Sequence, residues 1–298
     1  MQVTPLNTYA RLPRPYRAMH PVHSTIDAEG RAHWLLSERP PSAGNAPKSD
    51  GHEPYDALVV TVGDGAPRET HLSAVAHPRG LLEALPDGGF VVAGARTRRT
   101  APPGGQVQVF DALGRASWTF DVGDAVEHLL VDAGGDLWVG HFDENPEGIR
   151  RWNAWGELLW ESGDTLPGAG WIMDCYALNV GRDAVWACPY TEFPVLEIRE
   201  GAPVRVRSND VSGAKALAVA GQRIVFFGGY GGDADRLVVC ATTGSGVEPV
   251  RTTRAVRPDG GRLGRRHVVS RDERVYVLEE PYSEWYVLDA GATFPAAL

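Results

Sequence analysis

The chain has 298 residues, 43% hydrophobic and 22% charged, which is the balance of an ordinary folded protein. Asp and Glu outnumber Lys and Arg by 38 to 29, and a net charge of −9 argues against nucleic acid, whose phosphates call for a basic surface. No apolar run approaches a membrane span, and the first residues, MQVTPLNTYARLPRPYR, lack an apolar signal core, so a soluble cytoplasmic protein with no membrane partner is expected. Three cysteines do not make a disulfide framework.

In chain order, one pattern recurs: an apolar strand, a tight turn, and a second apolar strand carrying an aromatic. The copies are VHSTIDAEGRAHWLLSE from Val22, LLEALPDGGFVVAGAR from Leu81, HLLVDAGGDLWVGHFDE from His128, CYALNVGRDAVWACPYTE from Cys175, AKALAVAGQRIVFFGGY from Ala214 and RHVVSRDERVYVLEEP from Arg266. They recur at spacings of roughly 40–60 residues. A further strand pair follows each of the first five: ALVVTV with ETHLSAV, VQVFD with ASWTFDV, IRRWN with ELLWE, VLEIR with PVRVR, and RLVVCA with VEPVRT. The stretch from Val126 to Glu161 shows a whole unit, four strands parted by AGG, an acidic loop and AWG.

Stacked four-stranded units of this length predict an all-β fold, a six-bladed β-propeller of antiparallel blades forming one domain over 1–298. The sixth unit lacks one strand after WYVLD, while residues 2–10 belong to no unit. Pairing of 2–10 alongside 283–289 would close the last blade and remove a free edge. A seven-bladed ring with one degenerate blade is the alternative. In the fourth unit, a two-residue turn pairing Val180 with Asp183 would set Cys175 opposite Cys188, both reduced and packed near Trp186.

Turns between strands 1–2 and 3–4 are short, whereas 39–56, 97–105, 162–171 and 257–266 are long and lie on the opposite face. The 39–56 segment reads as a lid or as disorder. Second strands end in acids on the long-loop face: Glu38, Asp143 with Glu144, Glu192, Asp233, and Glu279 with Glu280, interrupted by Arg96, Arg98 and Arg99. Innermost strands begin with His23, Glu83, His128, Tyr176 with Asp174, Lys215 and His267. P-loop, G-x-S-x-G, H-E-x-x-H and C-x-x-C motifs are absent, and GGYGGDAD (228–235) has no helix after it, so it reads as a blade loop.

The repeat, with its D-x-x-G-x-W/Y spacing, resembles the six-bladed propeller superfamily of calcium-dependent lactonases and paraoxonases, strictosidine synthase-like enzymes and NHL-type scaffolds. The strings DCYALNV (174–180) and PYTEFP (189–194) are similar to uncharacterised actinobacterial propellers. The lactonase resemblance implies a calcium site of carboxylate and Asn oxygens. His, Lys and Tyr at the strand starts depart from that pattern, so no metal is expected.

The resulting expectation is a small-molecule enzyme without a cofactor, working by acid–base chemistry on the axis. His23, Glu83, His128, Asp174, Tyr176, Lys215 and His267 would be its catalytic set, and Glu144, Glu192 and Glu280 a rim drawing in a polar or cationic molecule. His128 beside Glu127 would be the acid, and His267 beside Arg266 the base. Condensation, cyclisation, isomerisation and hydrolysis all fit. The competing expectation is a scaffold that binds a partner protein through the loop face.

Overall fold

The structure, a computed structural model, describes residues 2–40, 53–96, 105–143, 147–163 and 165–295. Glu144, Arg98, Arg99 and the greater part of the 39–56 segment lie outside the described residues. The chain divides into two compact units. One comprises Ala10–His141 and Arg150–Glu161; the other comprises Met1–Tyr9, Phe142–Ile149 and Ser162–Leu298. No helix is long and apolar enough to cross a membrane.

The first unit holds three four-stranded antiparallel sheets. Their strands are His20–Ile26, Ala32–Ser37, Tyr55–Val62 and Arg68–Val75, then Leu81–Ala84, Phe90–Ala93, Val107–Phe110 and Ala116–Phe120, then Val126–Val131, Leu137–His141, Ile149–Trp152 and Leu158–Glu161. The central strands are apolar on both faces because each sheet is covered twice. Phe90 and Val92 pack with Leu35 and Leu72, whereas Val91 and Ala93 pack with Leu129 and Val139, the alternation that a two-residue period dictates.

Four turns of this unit share one device. The Oδ1 of Asp27 accepts from the N–H groups of Glu29 (3.0 Å) and Arg31 (2.8 Å). Asp111, Asp132 and Asn153 do the same for residues two and four positions on. The side chain thus satisfies two turn amides, and the glycine before the second strand takes a positive φ, 82° at Gly30. This is why D-x-x-G recurs in the sequence.

In the second unit the strands join into one thirteen-stranded sheet, in which three antiparallel runs, called here the fourth, fifth and sixth sheets, are linked by short parallel bridges at Asn179–Ser270 and Ser208–Gly246. The fourth is Asp174–Val180, Val185–Tyr190, Val195–Ile198 and Arg205–Asn209. The fifth is Ala216–Ala220, Arg223–Phe227, Arg236–Thr242 and Gly246–Val256, and the sixth Arg266–Arg271, Arg274–Glu279 and Glu284–Asp289. Strand Asn7–Arg11 lies beside Glu284–Asp289, and Val3–Pro5 runs parallel to the end of Gly246–Val256. Leu6, between them, is buried with Val275, Val277 and Leu288. The tail after Asp289 is a short helix, Ala290–Thr293, capped by the Asp289 carboxylate. Taken together, the repeated four-stranded meanders make this an all-β fold of β-propeller type.

The register of the fourth sheet departs from expectation. Val180 pairs with Val185, a bulge falls between Cys175 and Ala177, and Cys188 stands opposite Ala177 while Cys175 stands opposite Pro189. The connection is four residues long, closed by the Gly181 N–H on the Ala184 carbonyl. Asp272, from the turn of the sixth sheet, accepts the Arg182 N–H at 2.7 Å and holds this turn open. All three cysteines are free and buried, with Cys188 packed in the cluster that Trp186 covers.

Candidate functional site

In the first unit, His23, Glu83 and His128 stand on three innermost strands. His23 Nδ1 accepts the Leu82 N–H at 3.1 Å, so that nitrogen carries no proton. Glu83 is 1% exposed; one oxygen takes the Thr25 hydroxyl and the other the Val131 N–H at 3.1 Å. The carboxylate therefore ties the first and third sheets to the second. Asn179 acts similarly in the other unit, donating at 2.8 Å to the carbonyls of Leu217 and Asp272. His128 lies opposite Gly140.

The first sheet also holds a buried relay that no motif in the sequence marks. His33 is fully buried, with Nε2 at 2.8 Å from Asp27 Oδ2 and Nδ1 at 2.9 Å from the Thr61 hydroxyl. Burial pushes the imidazole below its ordinary value against the pull of Asp27. Burial would raise the Asp27 carboxyl, but the bonds from His33 and Arg31 overcome it and hold it at about 2. A neutral His33 protonated on Nε2 satisfies both partners. The Asp–His–Thr order resembles a nucleophile relay, yet its hydroxyl belongs to a residue only 6% exposed, so it serves the sheet rather than a substrate.

In the second unit, Asp174, Tyr176 and Lys215 come together around one ring. Asp174 and Tyr176 begin the innermost strand of the fourth sheet, and Lys215 immediately precedes that of the fifth. The Lys215 ammonium sits 4.2 Å from the Tyr176 ring centroid. The end of the second strand of the fourth sheet brings Tyr190 to 6.0 Å, and the loops after the second strands of the fourth and fifth bring Phe193 to 5.2 Å and Tyr230 to 6.0 Å, centroid to centroid. These three rings were not singled out from the sequence; the one available signal was the aromatics of PYTEFP (189–194) and GGYGGDAD (228–235). The Tyr230 and Tyr176 hydroxyls share a hydrogen bond at 3.1 Å. That bond first, then burial, then neighbouring charges including Asp174 raise the Tyr176 phenol above its ordinary value.

The cluster is exposed yet fixed. Tyr230 is 55% exposed and Tyr190 37%. A Cβ on Gly213, at φ +72°, would stand 2.7 Å from the Tyr230 ring, so only glycine admits the ring there. Phe193 has φ 54°, a region that disfavours bulky side chains, and its carbonyl is held by Asn209 Nδ2 at 3.0 Å. Trp171 is also exposed, and its carbonyl accepts the Thr191 N–H beside Tyr190.

The remaining expected residues have other neighbours. His267 packs edge-on to Trp285 at 5.9 Å. Glu192 and Glu280 are exposed, whereas Glu279 is buried and accepts the Gly264 N–H. Asp233 is ion-paired to Arg254 at 2.9 Å within the GGYGGDAD loop, the loop that also carries Tyr230. Among the described residues, no group of three or more His, Cys, Asp or Glu is placed to hold a metal ion.

No protein-family model matches the chain, and no curated protein matches it either. Solved structures are similar to it. A functionally unknown protein from Desulfotomaculum acetoxidans is 10% identical at a TM-score of 0.50, over 91% of this chain and 82% of that one. The β-propeller domain of the Trilobed protease from Pyrococcus furiosus is 14% identical at 0.49, over 91% and 83%. A virginiamycin B lyase from Staphylococcus aureus, solved with quinupristin, is 12% identical at 0.47, over 93% and 98%. At these identities the likeness is one of fold.

Proposed function

We propose that the chain is one propeller domain whose six sheets are six blades, with Asn7–Arg11 the outer strand of the sixth, and that it binds a small polar molecule over the Tyr176 cluster. The observation that carries this reading is Tyr230, a half-exposed ring kept in one position by Gly213 behind it and Tyr176 beside it. Solvent-facing side chains gain little from such fixation; a ligand gains affinity, since the ordering cost is met before it arrives. Asp174, Lys215 and the Tyr176 phenol, which is held above its ordinary value, offer hydrogen-bond donors and acceptors to whatever binds.

The test is a small-molecule library screened by thermal shift against wild type, Tyr176→Ala and Tyr230→Ala. A compound that stabilises the wild type and neither variant is expected. Hits that stabilise all three equally would place the site elsewhere.

A second reading, a protein-binding scaffold, is favoured by a different surface. Trp155 is 70% exposed and stacks on Trp118 at 4.2 Å, and Leu158 and Leu159 are exposed on the outer strand of the third sheet. An apolar outer edge suits a partner strand. Concentration-dependent sedimentation of wild type and Trp155→Ser tests it for self-association.

A further inference from the structure

The mixture of charges around the rings, on the reading of the site just given, restricts the chemistry of the ligand. We infer that the Tyr176 cluster takes an uncharged carbohydrate ring, stacked on the exposed tyrosines with its hydroxyls turned to Lys215 and Asp174.

A cationic ligand is disfavoured first. Aromatic cages attract ammonium groups through ring faces, but the Tyr176 face is already occupied by the Lys215 ammonium at 4.2 Å. A second cation would share the rings with that like charge. An anion meets the opposite difficulty: Asp174 shares the strand start with Tyr176 and acts on its phenol, Glu192 is exposed between Thr191 and Phe193, and the chain carries a net charge of −9.

A neutral polyol is compatible with both signs at once. Lys215 supplies donors, Asp174 acceptors, and the phenols of Tyr190 and Tyr230 either, so each hydroxyl finds a partner without an unpaired charge. The C–H face of a pyranose is apolar and flat enough to lie on an aromatic ring. Tyr190 and Tyr230 offer exposed ring area of that kind. Fixation of Tyr230 by Gly213 makes the platform rigid, so stacking is not offset by ordering the ring.

Saturation-transfer difference NMR of the full chain with maltotriose, cellotriose and chitotriose, and in parallel with choline and benzoate, tests the inference. The expected result is saturation of the C–H protons on one face of a trisaccharide, with neither charged probe competing. Tyr230→Ala should lower the affinity roughly tenfold. Tyr230→Phe should retain most of it, because stacking rather than the hydroxyl carries the contact. Unchanged melting temperatures of the variants exclude a folding artefact; Tyr190→Ala, at the other exposed ring, serves if Tyr230→Ala melts early. Binding of choline or benzoate through Tyr230 without any trisaccharide would overturn the carbohydrate assignment and leave the site reading intact. If trisaccharide binding survives Tyr190→Ala and Tyr230→Ala together, or no probe binds, the inference is overturned.

Discussion

Tyr230 rests against Gly213, and a Cβ there would stand 2.7 Å from two of its ring carbons. Gly213→Ala therefore has to move the ring and also hold alanine at φ +72°, which costs about 1–2 kcal/mol. The expected effect on folding is small, a fall in Tm of about 2–6 °C. Its effect on the site should be larger, with ligand affinity falling as far as in Tyr230→Ala. Calorimetry and a binding titration on the same variant separate the two.

The Tyr230–Tyr176 hydrogen bond predicts a late-titrating phenol. Tyr176 is raised in the folded chain, so the folded state keeps its proton longer than the unfolded state, whose tyrosines ionise near pH 10. This contribution to stability is present below pH 10 and is lost as pH rises through the folded value. Phenolate absorbance of Tyr230→Phe should show one tyrosine ionising earlier than in wild type. Superimposable titration curves would contradict the bond.

Acid should act on the first sheet through Asp27 and His33. Both are depressed in the folded state, so both contribute stability that is lost as pH falls. His33 loses its part below about pH 6.5, and Asp27 loses its part from about pH 3.8 towards 2, on the order of 2 kcal/mol. His33→Phe and Asp27→Asn should flatten the dependence of Tm on pH in those two windows. At neutral pH Asp27→Asn should also cost about 1–3 kcal/mol, through the hydrogen bonds to Arg31 and His33 that it weakens.

The thiols should be inert. Burial pushes Cys188 up to about 12, Asn209 opposing it, and pushes Cys240 up to about 12. Cys175 is buried too. A thiol reagent should label none of the three in the native protein and all three in denaturant. Rapid labelling of Cys188 without denaturant would mean that the Phe193 loop opens.

Removal of the first twelve residues should destabilise the sixth sheet by several kcal/mol. It bares the edge of Glu284–Asp289, and it takes Leu6 out of a cluster where it is 1% exposed. Leu6→Ala alone should cost about 2–4 kcal/mol without unpairing the strand. Hydrogen exchange at Trp285, Val287 and Asp289 would distinguish the two variants.

Strand positions, the grouping of the first unit's strands into four-stranded antiparallel sheets and the D-x-x-G turns were legible in the sequence, because each is local. Apolar alternation marks a covered strand wherever it occurs, and an Asp that binds its own turn amides needs no distant partner. The start of an innermost strand is different. A polar residue there reads the same whether it faces a ligand or a neighbouring backbone, and only tertiary structure separated Glu83, consumed by Thr25 and Val131, from Tyr176, which gathers three rings and an ammonium. Tyr190, Phe193 and Tyr230 were hidden because a strand end and loops from two different parts of the chain bring them together, and no period in the chain encodes that meeting. The register at Cys188 was hidden for the same reason: Asp272, a remote residue, grips Arg182 and widens a turn whose own residues suit a tighter one.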